Sequence, residues 1–392
     1  LIISKMYTGD DRSTALNSVR NALAIDIDKY NDEFLEEAVL VYLKNNGIFQ
    51  AICADMESMQ ETQTLGCLED VQNIMGMTFN TDLGLSYFDD IDEHLAELNN
   101  PVERVTSGWD SFDDITNGGF YRDGRCLITF MAETGMGKSL IMSNIAASYV
   151  KQGLFPVVIS CEMAEHVYAQ RIDGHLSGIT VNDLKYKTDQ LRESVMAIKE
   201  NNPTSDLVIK EFPPETIDTN TIKNYIEDVV RIKGRKPDII LVDYINLVLP
   251  NGGSASGDNS YSKIGKTTRD LRTLSYLFNV PVVSATQMNR GGYGAAIPSI
   301  DNVSESMGIA HVSDFIGALY QNEGDRDAGL IRMASLKNRF AGVVGKSITF
   351  DIDYNNLIIS DSMDDHDALS NDDMKRVLDE AQIDFEKDLM VM

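Results

Sequence analysis

Residues 132–139 read Ala-Glu-Thr-Gly-Met-Gly-Lys-Ser, and their flanks decide the fold. Before them, Cys126-Leu127-Ile128-Thr129-Phe130 is a short apolar run that predicts a strand. After them, Leu140, Ile141, Met142, Ile145, Ala146, Ala147, Tyr149 and Val150 recur at helical spacing. Strand, glycine loop and helix in that order are the setting of a phosphate-binding loop. Its backbone N–H groups and the positive helix N-terminus favour a phosphate chain. Ala132, Glu133, Thr134, Gly135, Met136, Gly137, Lys138, Ser139 and Leu140 are therefore the candidate nucleotide contacts. Lys138 is placed for the β and γ phosphates and Ser139 for Mg²⁺. Ala132 stands where the motif usually has its first glycine. The plainer alternative is an ordinary strand–turn–helix with a surface lysine.

The chain has 392 residues, enough for one large domain and a smaller one, and 43% of them are hydrophobic, enough for a sizeable core. No apolar stretch is long enough to cross a bilayer, so no membrane partner is expected. No secretory pattern is present. The first residue is Leu1, so the biological start is expected to lie elsewhere. Cys53, Cys67, Cys126 and Cys161 are scattered, without metal-ligand spacing to the five histidines; that suits a reducing cytosol and argues against structural zinc. A formal net charge of −27 disfavours coating nucleic acid with the whole surface. It leaves room for a local phosphate-binding channel.

Along the chain, residues 13–60 read as helices. Leu16, Val19, Leu23 and Tyr30 share one stripe. Phe34, Leu35, Ala38, Val39, Tyr42 and Leu43 form another, closed by Asn45-Asn46-Gly47. Phe88, Ile91, Leu95 and Leu98 step at helical spacing before Pro101; this helix packs on its own domain or docks on a neighbour. From about residue 105, strands alternate with helices: Cys126–Phe130, Val157–Ser160, Ile239–Val242, Val280–Thr286 and Ser347–Ile352. That alternation predicts a mostly parallel α/β sheet. The expected divisions are a helical N-terminal region over 1–80, a linker helix and connector over 81–104, the α/β domain over 105–360 and an acidic tail over 361–392. The tail is expected to be helical near 371–390 and mainly a solvated end.

Three further predicted strands end in polar residues. Val157-Val158-Ile159-Ser160 leads to Glu162, Ile239-Ile240-Leu241-Val242 to Asp243, and Val282-Val283-Ser284-Ala285-Thr286 to Gln287. In a parallel sheet these ends converge beside the phosphate loop. Each type has a part in phosphoryl transfer: one carboxylate for Mg²⁺, one for the attacking water, an amide for the γ-phosphate. The plainer alternative for any one of them is a capping or hydrogen-bonding residue at a strand end, and the functional reading is favoured for all three. Lys337-Asn338-Arg339, taken alone, reads as a solvated basic turn. So does the densest basic cluster, Arg231 to Lys236.

These elements recur in one order with Gly108-Trp109-Asp110, Glu162-Met163-Ala164-Glu165, Asp243-Tyr244-Ile245-Asn246, Ala285-Thr286-Gln287-Met288-Asn289-Arg290, Ser304-Glu305-Ser306 and Leu336-Lys337-Asn338-Arg339. Over residues 105–355 the set resembles the DnaB-type replicative helicases, most of all the T4-type phage helicases. Alanine at the Ala132 position also occurs in that family. The resemblance implies a RecA-like ATPase domain, preceded by a small helical region and a linker helix over 82–98. It implies a homo-hexameric ring moving 5′ to 3′ on single-stranded DNA, with primase and a loader as partners, in the host cytoplasm if phage-encoded. It further implies ATP (or another NTP) and Mg²⁺ as cofactors. Lys138 and Ser139 would bind phosphate and metal, Asp243 the metal, Glu162 the water, and Gln287 would couple the γ-phosphate to DNA. Arg339, with Lys337, would enter from the neighbouring subunit as an arginine finger.

In the family, the loops after Asp243 and Gln287 line the channel. Here they cover about 250–262 and 290–304, with Gly252, Gly253, Lys263, Arg290, Gly291 and Gly292 as candidate DNA contacts. They are poor in charge, so the expected grip is by backbone N–H groups and independent of sequence. Plain flexible connectors are the alternative. Two other classes fit the motifs: a recombinase-like ATPase that assembles without unwinding, and a nucleotide-dependent switch or loader.

Overall fold

The computed structural model describes residues 32–62, 67–76, 84–99, 102–252, 260–289, 298–299, 307–341 and 344–362. The chain divides into two compact units, residues 1–100 and 101–392. The expected helices before residue 32 and within the acidic tail lie outside the described residues.

The first unit contains α1 (Asp32–Thr62), α2 (Leu68–Met75) and α3 (Ile91–Asn99). The helix stop expected at Asn45-Asn46-Gly47 does not occur, because α1 runs through it. Gly47 is buried and is not in the left-handed region. A Cβ there would lie 3.2 Å from Ile74 Cγ2, so the glycine serves close approach of α2 rather than a cap. The predicted 82–98 helix is shorter than expected. Ser86 O accepts from Asp90 N at 2.8 Å, and Ser86 N donates to Asp90 Oδ2 at 2.7 Å. That turn takes Phe88 out of the helix, and α3 buries none of its side chains.

The second unit opens with β1 (Arg104–Val105), α4 (Asp110–Thr116) and β2 (Phe120–Tyr121), β1 and β2 forming a small antiparallel ladder. Then follow β3 (Leu127–Ala132), α5 (Lys138–Lys151), β4 (Pro156–Ser160), α6 (Glu165–Ser177), α7 (Thr188–Asn201), β5 (Val208–Glu211), α8 (Thr219–Lys233) and β6 (Ile239–Asp243). The last part comprises α9 (Ser260–Phe278), β7 (Val282–Gln287), α10 (Met307–Val312), β8 (Phe315–Tyr320), α11 (Glu323–Ala328), β9 (Leu330–Asn338), β10 (Ser347–Asp353) and β11 (Ile358–Asp361).

The main sheet has the order β11-β10-β9-β8-β3-β7-β6-β4-β5. Strands β3 to β8 are parallel; β9, β10 and β11 extend one side antiparallel. The five strands read from the sequence are present, and the sheet is mostly parallel. Central strands read as unbroken apolar runs because both faces are covered. Along β3, Ile128, Phe130 and Ala132 join the core under α4 and α5, whereas Leu127 and Met131 join the core under α8 and α9. Alternation of side chains along a strand sends them to the two faces.

The Gly108-Trp109-Asp110 segment is anchored from far along the chain. Trp109 Nε1 donates to Ile359 O at 2.8 Å. Asp361 accepts from Asp110 N at 2.6 Å and Ser111 N at 3.3 Å, capping α4 with a negative charge. Phe112 is fully buried and meets the rings of Trp109, Phe120, Phe130 and Phe315. The Arg231–Lys236 cluster is solvated, as expected, but only its second half is a turn, since Arg231 to Lys233 end α8: Arg231 pairs with Asp228, Lys233 with Asp206 and Lys236 with Asp123. Among the described residues no helix is long and apolar enough to cross a membrane. Phe112→Ala is expected to cost about 3–5 kcal/mol in urea unfolding of the second unit, through the cavity it leaves under β3 and β8.

Candidate nucleotide site

The phosphate loop follows β3 and ends at Gly137, the N-cap of α5. Gly135 has φ +78° and Gly137 φ +90°, a region that side chains with a Cβ rarely enter. A Cβ on Gly135 would meet nothing within 4 Å, so backbone conformation rather than space calls for glycine there. Ala132 is the last residue of β3, fully buried and not in a positive-φ conformation. The position therefore has no need of the usual glycine.

Parallel register brings the other strand ends to this loop. Ala132 pairs with Gln287 across β3 and β7, and Ser160 with Asp243 across β4 and β6. Met288 N donates to Ala132 O at 3.1 Å. Cys161 N donates to Asp243 O at 2.7 Å, which sets the turn carrying the exposed Glu162. Ser160 Oγ, held at 2.7 Å from Met163 O, closes that turn. The Gln287 side-chain amide donates to the Thr134 hydroxyl within the phosphate loop.

Asp243 is fully buried, and neither carboxylate oxygen has a hydrogen-bond partner. Burial pushes its pKa from 3.8 up to about 6, against the opposing pull of the nearby Ser139 hydroxyl; Glu162 adds to the rise, and Arg171 and Lys138 oppose it. Lys138 and Ser139 are themselves buried. Burial lowers the Lys138 pKa, and Glu162 and Asp243 work to restore it. Its Nζ donates to Glu133 O at 3.3 Å and lies 5.5 Å from the Tyr244 ring centre.

An orphaned buried carboxylate beside a serine hydroxyl fits a hydrated Mg²⁺ that takes its remaining ligands from phosphate. Among the described residues no group of three or more His, Cys, Asp or Glu could cage a metal by itself. A phosphate-supplied ion needs no such group.

Lys138, Ser139, Glu162, Asp243 and Gln287 thus meet at one edge of the sheet. Lys337 and Arg339 do not. β9 runs antiparallel to β8, and Asn338 pairs with Phe315, the first residue of β8. Lys337 and Arg339 therefore lie at the opposite edge, a strand length of roughly 17 Å from the loop. Lys337 Nζ donates to Ala310 O at 2.5 Å and His311 O at 3.2 Å, and burial brings its pKa down to about 8. Arg339 is 53% exposed and pairs with Asp314 at 3.2 Å. Two clefts of about 480 and 470 Å³ flank Arg339 rather than the phosphate loop. Of the candidate DNA contacts, Gly252 is exposed with φ +75° and Lys263 is half-buried on α9. Gly253, Arg290, Gly291 and Gly292 lie outside the described residues.

Three participants were not singled out in the sequence. Tyr244 could have been flagged by its adjacency to Asp243. Arg171 on α6 and Asp314 before β8 carry no local signal, because only tertiary packing brings them to Asp243 and Arg339.

Asp243→Asn tests the buried charge. A folded pKa above the unfolded one means that this acid's contribution to stability is full below pH 3.8 and lost as pH rises through about 6. Without nucleotide, the variant is expected to be more stable than the parent at pH 8, by on the order of 2 kcal/mol, and the difference should vanish near pH 3.5. Urea midpoints of both proteins across that range check it.

The sequence pattern of the DnaB-like helicase C terminal domain matches residues 104–357. The DnaB-like replicative helicase of Enterobacteria phage T4 is 24% identical over 280 residues, covering 70% of this chain and 58% of the relative. The replicative DNA helicase DnaB of Helicobacter pylori is 22% identical over 298 residues, covering 73% and 56%. The chain thus spans little more than half the length of these relatives. Among solved structures, one ATPase domain superposes with a TM-score of 0.58 at 18% identity, over 70% of this chain and 97% of that one. A DnaB-like replicative helicase, solved in a study of its interactions with primase, gives 0.58 at 17%, over 83% and 78%. The second unit therefore has the RecA-like ATPase fold, and the chain belongs to the DnaB-like helicases.

Proposed function

We propose that this protein is an ATP-driven replicative helicase that works as a homo-hexameric ring, moving 5′ to 3′ on single-stranded DNA and unwinding the duplex ahead of it. The observation that carries this reading is the split of the catalytic set across the sheet. Phosphate-binding and water-activating residues occupy one edge, and the exposed Arg339 the other. Within one chain they cannot meet; between neighbours in a ring, one chain's Arg339 completes the next chain's site.

In that site the N–H groups of the loop and Lys138 bind the β and γ phosphates of ATP. Ser139 and Asp243 would hold Mg²⁺, which neutralises charge on the phosphates. Glu162 takes a proton from the attacking water. Arg339 from the neighbour offsets charge growing on the transferred group. Gln287, seated on Thr134, lies between the loop and the segment that follows β7. Movement of its amide toward the γ-phosphate would shift that segment against DNA. Gly252 and Lys263, with Gly253, Arg290, Gly291 and Gly292, are the proposed backbone grip. The low charge of these stretches suits contacts through N–H groups rather than bases. Primase and a loader are proposed partners on family grounds.

Strand displacement on a forked duplex with ATP and Mg²⁺ tests this directly. Unwinding should require a 5′ tail, and Lys138→Ala and Arg339→Ala should each lower turnover by about 10³-fold or more. DNA-stimulated hydrolysis without unwinding would favour the recombinase-like class. Glu162→Gln should retain ATP binding while losing roughly 10²–10⁴-fold in hydrolysis; a variant that bound and hydrolysed ATP normally would remove Glu162 from the mechanism.

A further inference from the structure

We infer that Asp314 is the positioning residue for Arg339, and that it ties this exported arginine to the first residue of the strand whose far end forms the phosphate loop. The inference rests on the shared-site reading above.

Asp314 lies between α10 and β8 and is 6% exposed. Its Oδ2 accepts from Leu127 N at 3.0 Å and pairs with Arg272 at 2.8 Å, while Oδ1 pairs with Arg339 at 3.2 Å. The main chain repeats the link: Asp314 N donates to Leu127 O at 2.8 Å, and Arg339 N donates to Asp314 O at 2.9 Å. One nearly buried carboxylate thus joins two guanidinium groups to the start of β3. Charge-assisted bonds of this kind are strong and directional, and removing one partner leaves a buried charge without compensation.

The backbone on both sides of Arg339 is held independently. Asn338 Nδ2 donates to Ile115 O at 2.6 Å, and its Oδ1 accepts from Phe340 N at 3.0 Å. Phe340 stacks on Phe315 at 6.3 Å and meets Tyr121 edge-on at 5.2 Å. What those contacts leave open is the direction of the long, half-exposed Arg339 side chain. Asp314 supplies that direction. Because Leu127 and Ala132 bound one continuous strand, the fold also sets the distance between the phosphate loop a subunit offers and the arginine it exports. Placement matters at this scale, since a misplacement of about 1 Å can cost about 10²-fold in rate.

The test uses subunits that fail in complementary ways. Lys138→Ala disables a subunit's own loop but leaves its Arg339. Arg339→Ala keeps the loop but exports nothing. Mixed rings of full-length chains are assayed for single-turnover ATP hydrolysis, which needs one competent interface. Asp314→Asn is then added to one partner at a time. Placed in the Lys138→Ala subunit, which donates the arginine, it should lower the rate at least about tenfold with the KM for ATP unchanged. Placed in the Arg339→Ala subunit, it should leave complementation intact, and this arm shows that the substituted chain folds and assembles. Undiminished activity with the substitution in the donor overturns the inference. Equal loss in both placements also overturns it, by reducing Asp314 to a structural residue of each chain. Failure of the parent pair to complement removes the shared site and this inference with it.

Discussion

Parallel strands share a direction, so everything placed at their C-terminal ends is delivered to one edge of the sheet. The hydrogen-bond register of β3, β7, β6 and β4 makes this specific. It pairs Ala132 with Gln287 and Ser160 with Asp243, and main-chain bonds just past the strands carry the alignment into the turns. The candidate nucleotide residues come from segments up to 155 residues apart, Ala132 to Gln287. Slipping one strand by a single residue would turn Asp243 into the opposite core and empty the site. The two apolar layers that cover β3 guard against such a slip, since each accepts only alternate residues.

The same constraint governs where charge can be tolerated. Asp243 sits at the end of a fully buried strand with no hydrogen-bond partner, an arrangement the free protein bears at a cost. Lys138, Arg171 and Ser139 lie close enough to moderate that cost without removing it. Active sites commonly hold such poorly compensated groups because the ligand completes them. At the other edge the order is reversed: one buried carboxylate, Asp314, serves two arginines, one of them largely exposed. Two guanidinium groups sharing one carboxylate leave this edge locally positive in a chain of net charge −27.

Local features made the phosphate loop readable. Its glycines, lysine and serine act through neighbouring backbone, so their spacing along the chain already encodes their geometry. The apolar runs ending at Glu162, Asp243 and Gln287 were readable for a related reason: a strand covered on both faces must be apolar throughout and can turn polar only where it emerges. β5, with its Lys210 and Glu211, and β11, with Ser360 and Asp361, were harder to read because edge strands mix polar with apolar residues. Asn45-Asn46-Gly47 misled because glycine's signal is ambiguous: it ends helices through positive φ, but here it only admits Ile74.

By itself, then, the sequence determined a strand–glycine loop–helix of phosphate-loop pattern in a mostly parallel α/β sheet and named the residues at the strand ends, because those properties depend on neighbours in the chain. Only the tertiary structure decided that Arg339 stands a strand length from its own phosphate loop, that Asp361 caps α4, and that Asp314 bridges Arg272, Arg339 and Leu127. The contacts behind these placements join residues 23 to 251 positions apart, and no local pattern records a contact made by packing alone.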